Sequence, residues 1–219
     1  MKGASLKYSW LTYRRDQLWF PLAFFALFVV ITLILPNPAI RFTLVRAYLG
    51  FIVPLIGGIL AAYAVLDDPA IELRFSTPVR AEQTLLARVG LIVIVQTVCA
   101  LAFQVFAFAL KINLSPLGSL LGIQWMWFLP TLVLAALGSA GSLAGAQNVV
   151  GAFLVGTVWL VQLMMKGWFE LNAKYAFLFL AVFSPSHPDL ALNQAMLAAA
   201  ATALLFLSWV LLHRQERYI

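Results

Sequence analysis

Apolar residues in this chain neither alternate nor return on one helical face. They run nearly unbroken for long stretches, interrupted at intervals by short polar segments. A helix rises about 1.5 Å per residue and the hydrocarbon core of a bilayer is about 30 Å thick, so runs near 20 residues have the length of a membrane crossing. Six runs meet or approach it: Leu18–Leu35, Tyr48–Leu66, Val89–Leu110, Ser119–Leu143, Val149–Met165 and Leu190–Leu212. The fifth is short, and its ends draw on the neighbouring loop. The pattern predicts an all-α integral membrane protein with six transmembrane helices, built as a single domain over residues 1–219.

Three segments depart from this pattern. Met1–Gln17 sets Leu6, Trp10 and Tyr13 at helical spacing beside Lys7, Arg14 and Arg15, which predicts an amphipathic helix lying in the headgroup region; a frayed tail is the plain alternative. Inside the loop 166–189, Tyr175–Ser184 is apolar but too short to cross and is closed by Pro185 and Pro188. It is expected to be a re-entrant or interfacial outer segment between spans five and six. Residues 67–84 are the one place where charge of both signs concentrates.

Composition narrows the class. The chain has 219 residues, 63% hydrophobic and 10% charged, whereas soluble domains carry about 25% charge. An ordinary soluble enzyme is excluded, and residues 112–165 hold no Asp, Glu, Lys or Arg at all. The net charge of +6 does not point to nucleic acid, because the basic residues sit at the ends of apolar runs, where they meet headgroups and set orientation. Cys99 is the only cysteine and lies within a span, so neither an intrachain disulfide nor a cysteine-based metal site is available. Met1–Gln17 lacks the pattern of a cleaved signal peptide.

Six spans place both termini on one side. Lys2, Lys7, Arg14, Arg15, Arg74, Arg80, Arg88, Arg214 and Arg217 share that side, and Arg41, Arg46, Lys111, Lys166 and Lys174 lie opposite. The positive-inside rule then predicts cytoplasmic termini in a multi-pass protein of the plasma (inner) membrane.

The mixed-charge loop has the grammar of a short helix. Asp68 can cap free N–H groups, Pro69 suits the first helical position, and Glu72 sits near the positive end of the helix dipole. Thr77-Pro78 ends that helix and can begin the next. Ile71 and Phe75 would offer an apolar edge suited to a partner's groove. From the residues alone, a solvated connecting turn stays open.

The order of an acidic residue and Leu before Ser76-Thr77-Pro78-Val79-Arg80, followed by Leu85-Leu86 and Arg88 at the mouth of a span, resembles the loop between the second and third spans in type-2 permeases of ABC exporters. Six spans, the amphipathic N-terminal helix, the outer re-entrant segment and the basic end His213-Arg214-Gln215-Glu216-Arg217 are similar to that family as well. The resemblance implies that the loop 67–84 forms a coupling helix docking into a separate ATPase subunit, through Glu72, Leu73, Arg74, Phe75, Thr77 and Pro78. The preceding Asp67-Asp68-Pro69-Ala70-Ile71 departs from the more basic, glycine-containing run of many members, which leaves the register of that helix open. No Gly-x-x-x-x-Gly-Lys-Ser/Thr motif occurs, so this chain is expected to bind no cofactor itself, with ATP and Mg on the partner. The implied assembly is two permease chains, a homodimer in the simpler case, with two copies of the ABC ATPase subunit in membrane lipid. The function implied is export of a hydrophobic or amphipathic substrate. The alternative is a membrane-anchoring or assembly protein without transport activity, for which the loop is a static docking site.

Other chemistries find little support. Gly138-Ser139-Ala140-Gly141-Ser142 superficially resembles the serine motif of rhomboid proteases, but the only histidines, His187 and His213, lie at span ends, and Ser139 follows Gly138 without the intervening residue. Small residues there instead suit close helix approach. No two of His, Asp and Glu pair at ligand spacing within a span, and no span carries an ionisable group such as an ion carrier uses. Gln96, Gln104, Gln162, Thr97, Thr157, Ser139, Ser142, Thr202 and Ser208 read singly as interhelical hydrogen-bonding groups. In the resembling family spans two and five line the substrate route, which makes Tyr63, Trp159 and Gln162 the candidate substrate contacts; ordinary packing or an aromatic belt is the plain alternative for the two aromatics.

Overall fold

The computed structural model describes residues 15–64, 81–172 and 177–213, with every element among them helical. Helix α1 spans Arg15–Ile34, α2 Pro38–Tyr63, α3 Ala81–Ala109, α4 Leu120–Gly145 and α5 Asn148–Met164. Two short helices follow, α6 at Lys166–Asn172 and α7 at Leu180–Phe183, before α8 at Leu190–Leu212. Stretches of 26, 25, 26 and 23 residues in α2, α3, α4 and α8 are long and apolar enough to cross a membrane. The apolar helices Trp19–Ile34 in α1 and Asn148–Met164 are shorter. The protein is therefore a membrane protein, all-helical among the described residues.

The sequence places the second apolar run at Tyr48, yet the helix begins at Pro38. Asn37 caps it by accepting a hydrogen bond from the Ala39 amide at 2.9 Å, and Pro38 takes the position where a missing N–H costs nothing. Arg41 and Arg46, expected in a loop, thus lie on the first turns of α2. Likewise residues 15–17 already belong to the α1 helix; residues 1–14 of the expected interfacial helix lie outside the described residues.

Inside α2 the backbone widens to a π-turn at Tyr48–Ile52. Pro54 explains it, since proline offers no N–H to the Gly50 carbonyl and its ring would collide with that group in a regular helix.

The helices run back and forth. At one end the Arg88 guanidinium donates to the Ala64 carbonyl, and Leu212 packs in a cluster with Leu60, Ala64 and Leu85. At the opposite end the first turns of α2 and the α3–α4 link line a common cleft. Helix α4 is the hub, packed against α2, α5 and α8. Of the most apolar stretch of α2, 61% is buried, against 22% for α8, which turns Met196, Phe206, Leu207 and Trp209 outward as a lipid-facing helix does.

The hub works through small residues. A Cβ on Gly138 of α4 would strike the Gly58 carbonyl of α2, and one on Gly151 of α5 would strike the Gly138 carbonyl and the Ser142 hydroxyl. Three backbones therefore touch, as small-residue interfaces allow in membranes. The Ser142 hydroxyl donates to the Ala62 carbonyl at 2.7 Å across this seam.

Candidate functional site

The outer segment expected to be re-entrant is packed inside protein where it is described. Phe177, Phe179 and Leu180 are fully buried and Val182 is 1% exposed. An irregular backbone at depth must have its polar groups satisfied, and two amide side chains do this. Gln162 of α5 accepts from the Leu178 amide at 2.8 Å, and Asn193 of α8 donates to the Phe177 carbonyl at 3.1 Å. The segment thereby ties α5 to α8 without being a regular helix along its whole length.

The π-turn of α2 forms the other wall. Gly50 lies against Val182 so closely that a Cβ would collide with its methyl groups. The Phe51 carbonyl accepts from the Trp159 indole at 3.0 Å, and the Phe51 ring meets Phe179 at 5.1 Å and Phe183 at 5.4 Å between centroids. Phe179 also contacts Trp159 edge-on. Charge closes the top: the Lys166 ammonium sits 3.8 Å from the centre of the Phe183 ring, and the Ser184 hydroxyl donates to Glu170 at 2.6 Å. The result is a junction of α2, α5, α7 and α8 lined by aromatic faces and held by three side-chain-to-backbone hydrogen bonds.

Two of the three residues expected to contact substrate, Trp159 and Gln162, meet at this junction. Tyr63 does not. It lies half-buried near the far end of α2, about 18 Å along the helix from Phe51. The coupling residues Glu72, Leu73, Arg74, Phe75, Thr77 and Pro78 lie outside the described residues. What the structure describes is their frame, with Ala64 and Arg88 joined by a hydrogen bond on either side of them.

The polar groups within the helices divide unequally. Thr97, Thr202 and Ser208 donate to carbonyls four residues back on their own helices, rather than across to a neighbour as expected. A short hydroxyl side chain reaches that carbonyl at no entropic cost of ordering a partner helix. Ser139 does the same with Ala135 at 3.0 Å and reaches Ala61 at 3.4 Å, so its hydroxyl points to carbonyls rather than to a base. Gln104 of α3 forms a reciprocal amide pair with Gln124 of α4, at 2.7 and 3.2 Å, which also accepts from the Trp127 indole. The Gln96 amide nitrogen is buried without an acceptor among the described residues.

Gln124 and Asn193 were missed by the sequence reading because each sits within two turns of a helix start, where an amide reads as an end-of-span residue. Their partners are set by chain segments 16 to 20 positions away. Among the described residues no group of three or more His, Cys, Asp and Glu could hold a metal ion. No protein-family model, no characterised protein and no solved structure matches the chain.

Proposed function

We propose that this chain is the permease subunit of an ATP-driven ABC exporter, crossing the plasma (inner) membrane six times with both termini in the cytoplasm. Two such chains would work with two ATPase subunits, which carry ATP and Mg. The observation that carries the reading is the ordered motif from Glu72 to Arg88, placed between two helices whose mouths are tied together by Arg88 and Ala64. A push on the segment Glu72–Pro78 would reach both α2 and α3 through that tie.

The packing supports a mechanical route. The second half of α2 is locked to α4 and α5 by touching backbones, so a push there moves the three helices as a body. Strain would then collect at the π-turn, where Trp159, Gln162 and the buried aromatic segment meet it. Access to the cavity between two permeases would change as these contacts repack, with Trp159, Gln162 and Tyr63 meeting a hydrophobic or amphipathic substrate. A membrane interior without described acidic or basic groups in its central turns suits such a cargo.

The test is co-purification from native membranes and ATP hydrolysis by the isolated complex. The wild-type chain should carry an ATP-binding-cassette protein, and Glu72→Ala with Phe75→Ala should lose it while inserting normally into the membrane. Substrate-stimulated hydrolysis separates an exporter from a static anchor. Retention of the ATPase by the double variant would sink the assignment of the coupling helix.

A further inference from the structure

At the end of the bundle away from Arg88, the first turns of α2 and the start of the α3–α4 link enclose a cleft of about 400 Å³ walled by Phe42, Leu110 and Ile112 and edged by Arg41, Lys111 and Asn113. A second cleft of about 430 Å³ shares Lys111, Ile112 and Asn113 and continues over Phe108, Leu120 and Ile123. Neither is lined by Asp or Glu, and neither Arg41 nor Lys111 makes an ion pair among the described residues.

The Arg41 guanidinium is held by a backbone carbonyl, and the backbone of Lys111 is fixed by a helix cap. The Arg41 Nε donates to the Leu35 carbonyl at 2.6 Å, which anchors the guanidinium of a residue lining the first cleft. Lys111 occupies the left-handed position of a Schellman cap at φ 55°, with its own amide on Phe108 and the Ile112 amide on Ala107. Glycine is the residue that position favours, so a charged side chain sits where the backbone would prefer none. Phe108 and Leu120, which line the second cleft, are exposed, as are Val105 one turn before Phe108 and Leu121 beside Leu120.

We propose that this double cleft binds the headgroup of an acidic membrane phospholipid, with Arg41 and Lys111 on the phosphate and the acyl chains along Phe108, Leu120 and Leu121. Charge complementarity selects the phosphate, and the exposed apolar side chains that line and flank the second cleft select a lipid over a free anion. The inference rests on residence in a bilayer and is independent of the exporter reading.

Native mass spectrometry of the purified chain, titrated with phosphatidylglycerol or phosphatidylcholine, tests it. The wild type should hold the first phosphatidylglycerol roughly tenfold to thirtyfold more tightly than phosphatidylcholine, as expected for two juxtamembrane cations. Lys111→Gly removes the charge yet suits the left-handed backbone, so it should fold at least as stably and lose much of that preference; adding Arg41→Gln should abolish it. Millimolar inorganic phosphate should leave bound lipid in place. Equal affinity for both lipids in the wild type, an undiminished preference in the folded Lys111→Gly variant, or displacement by inorganic phosphate would each overturn the proposal.

Discussion

Two adjoining stretches of α2 are held by opposite means. From Val53 to Tyr63 the helix is fixed by absence of side chains, since Gly58, Gly138 and Gly151 let three backbones meet and Ser142 adds one hydrogen bond. From Tyr48 to Ile52 it is fixed by bulk: aromatic rings, an indole donor and an irregular segment satisfied by amide side chains. A backbone seam has nothing to rotate, whereas rings and amides have alternative rotamers. Rigidity therefore belongs to the first kind of contact and adjustability to the second, within one helix.

The largest break in that comparison should come from Gly138→Leu. Backbone lies where the new side chain must go, so the three-helix seam has to separate, costing about 3 kcal/mol or more. Thermal unfolding in detergent should show a fall in midpoint of roughly 6 °C or more, at the two to four degrees per kcal/mol expected of a chain this long. A midpoint unchanged by the substitution would mean that the seam is loose.

Gln162→Leu should follow. It keeps the apolar packing but leaves the Leu178 amide without its acceptor, a loss of about 1–3 kcal/mol. Because only the irregular segment depends on that bond, hydrogen exchange should rise near residues 177–183 while the seam from Gly58 to Gly151 stays protected. Uniform loss of protection would show the two stretches of α2 to be one cooperative unit.

The smallest effects sharpen the distinction between crossing and local bonds. Ser142→Ala removes an interhelical bond and should cost about 0.6 kcal/mol, a typical value within membranes. Thr202→Ala removes only a bond to its own helix, at an exposed position, and should leave the midpoint unchanged. Equal effects from both would erase the difference.

Much of the fold was legible in the run lengths. Of the six apolar segments, four reappear as helices long enough to cross a membrane and two as shorter apolar helices, and the last, Leu190–Leu212, carries the same bounds. The start of α2 was not legible, because Pro36, Asn37, Pro38 and two arginines read as loop until the Asn37 cap is seen to start a helix among them. The candidate site was half legible. Trp159 and Gln162 stood out as polar or aromatic groups in an apolar helix, but their partners, Phe51 and Leu178, are ordinary apolar residues chosen for their backbone atoms. No side-chain pattern announces a carbonyl or an amide.

The scarcity and placement of charge determined by themselves that this protein lives in a bilayer, because solvent is selected by composition summed over long runs. Which helices touch, where α2 widens, and that residues 177–183 are buried were decided by tertiary structure. Those outcomes depend on backbone groups and close approaches between distant segments, and every residue type carries the same backbone.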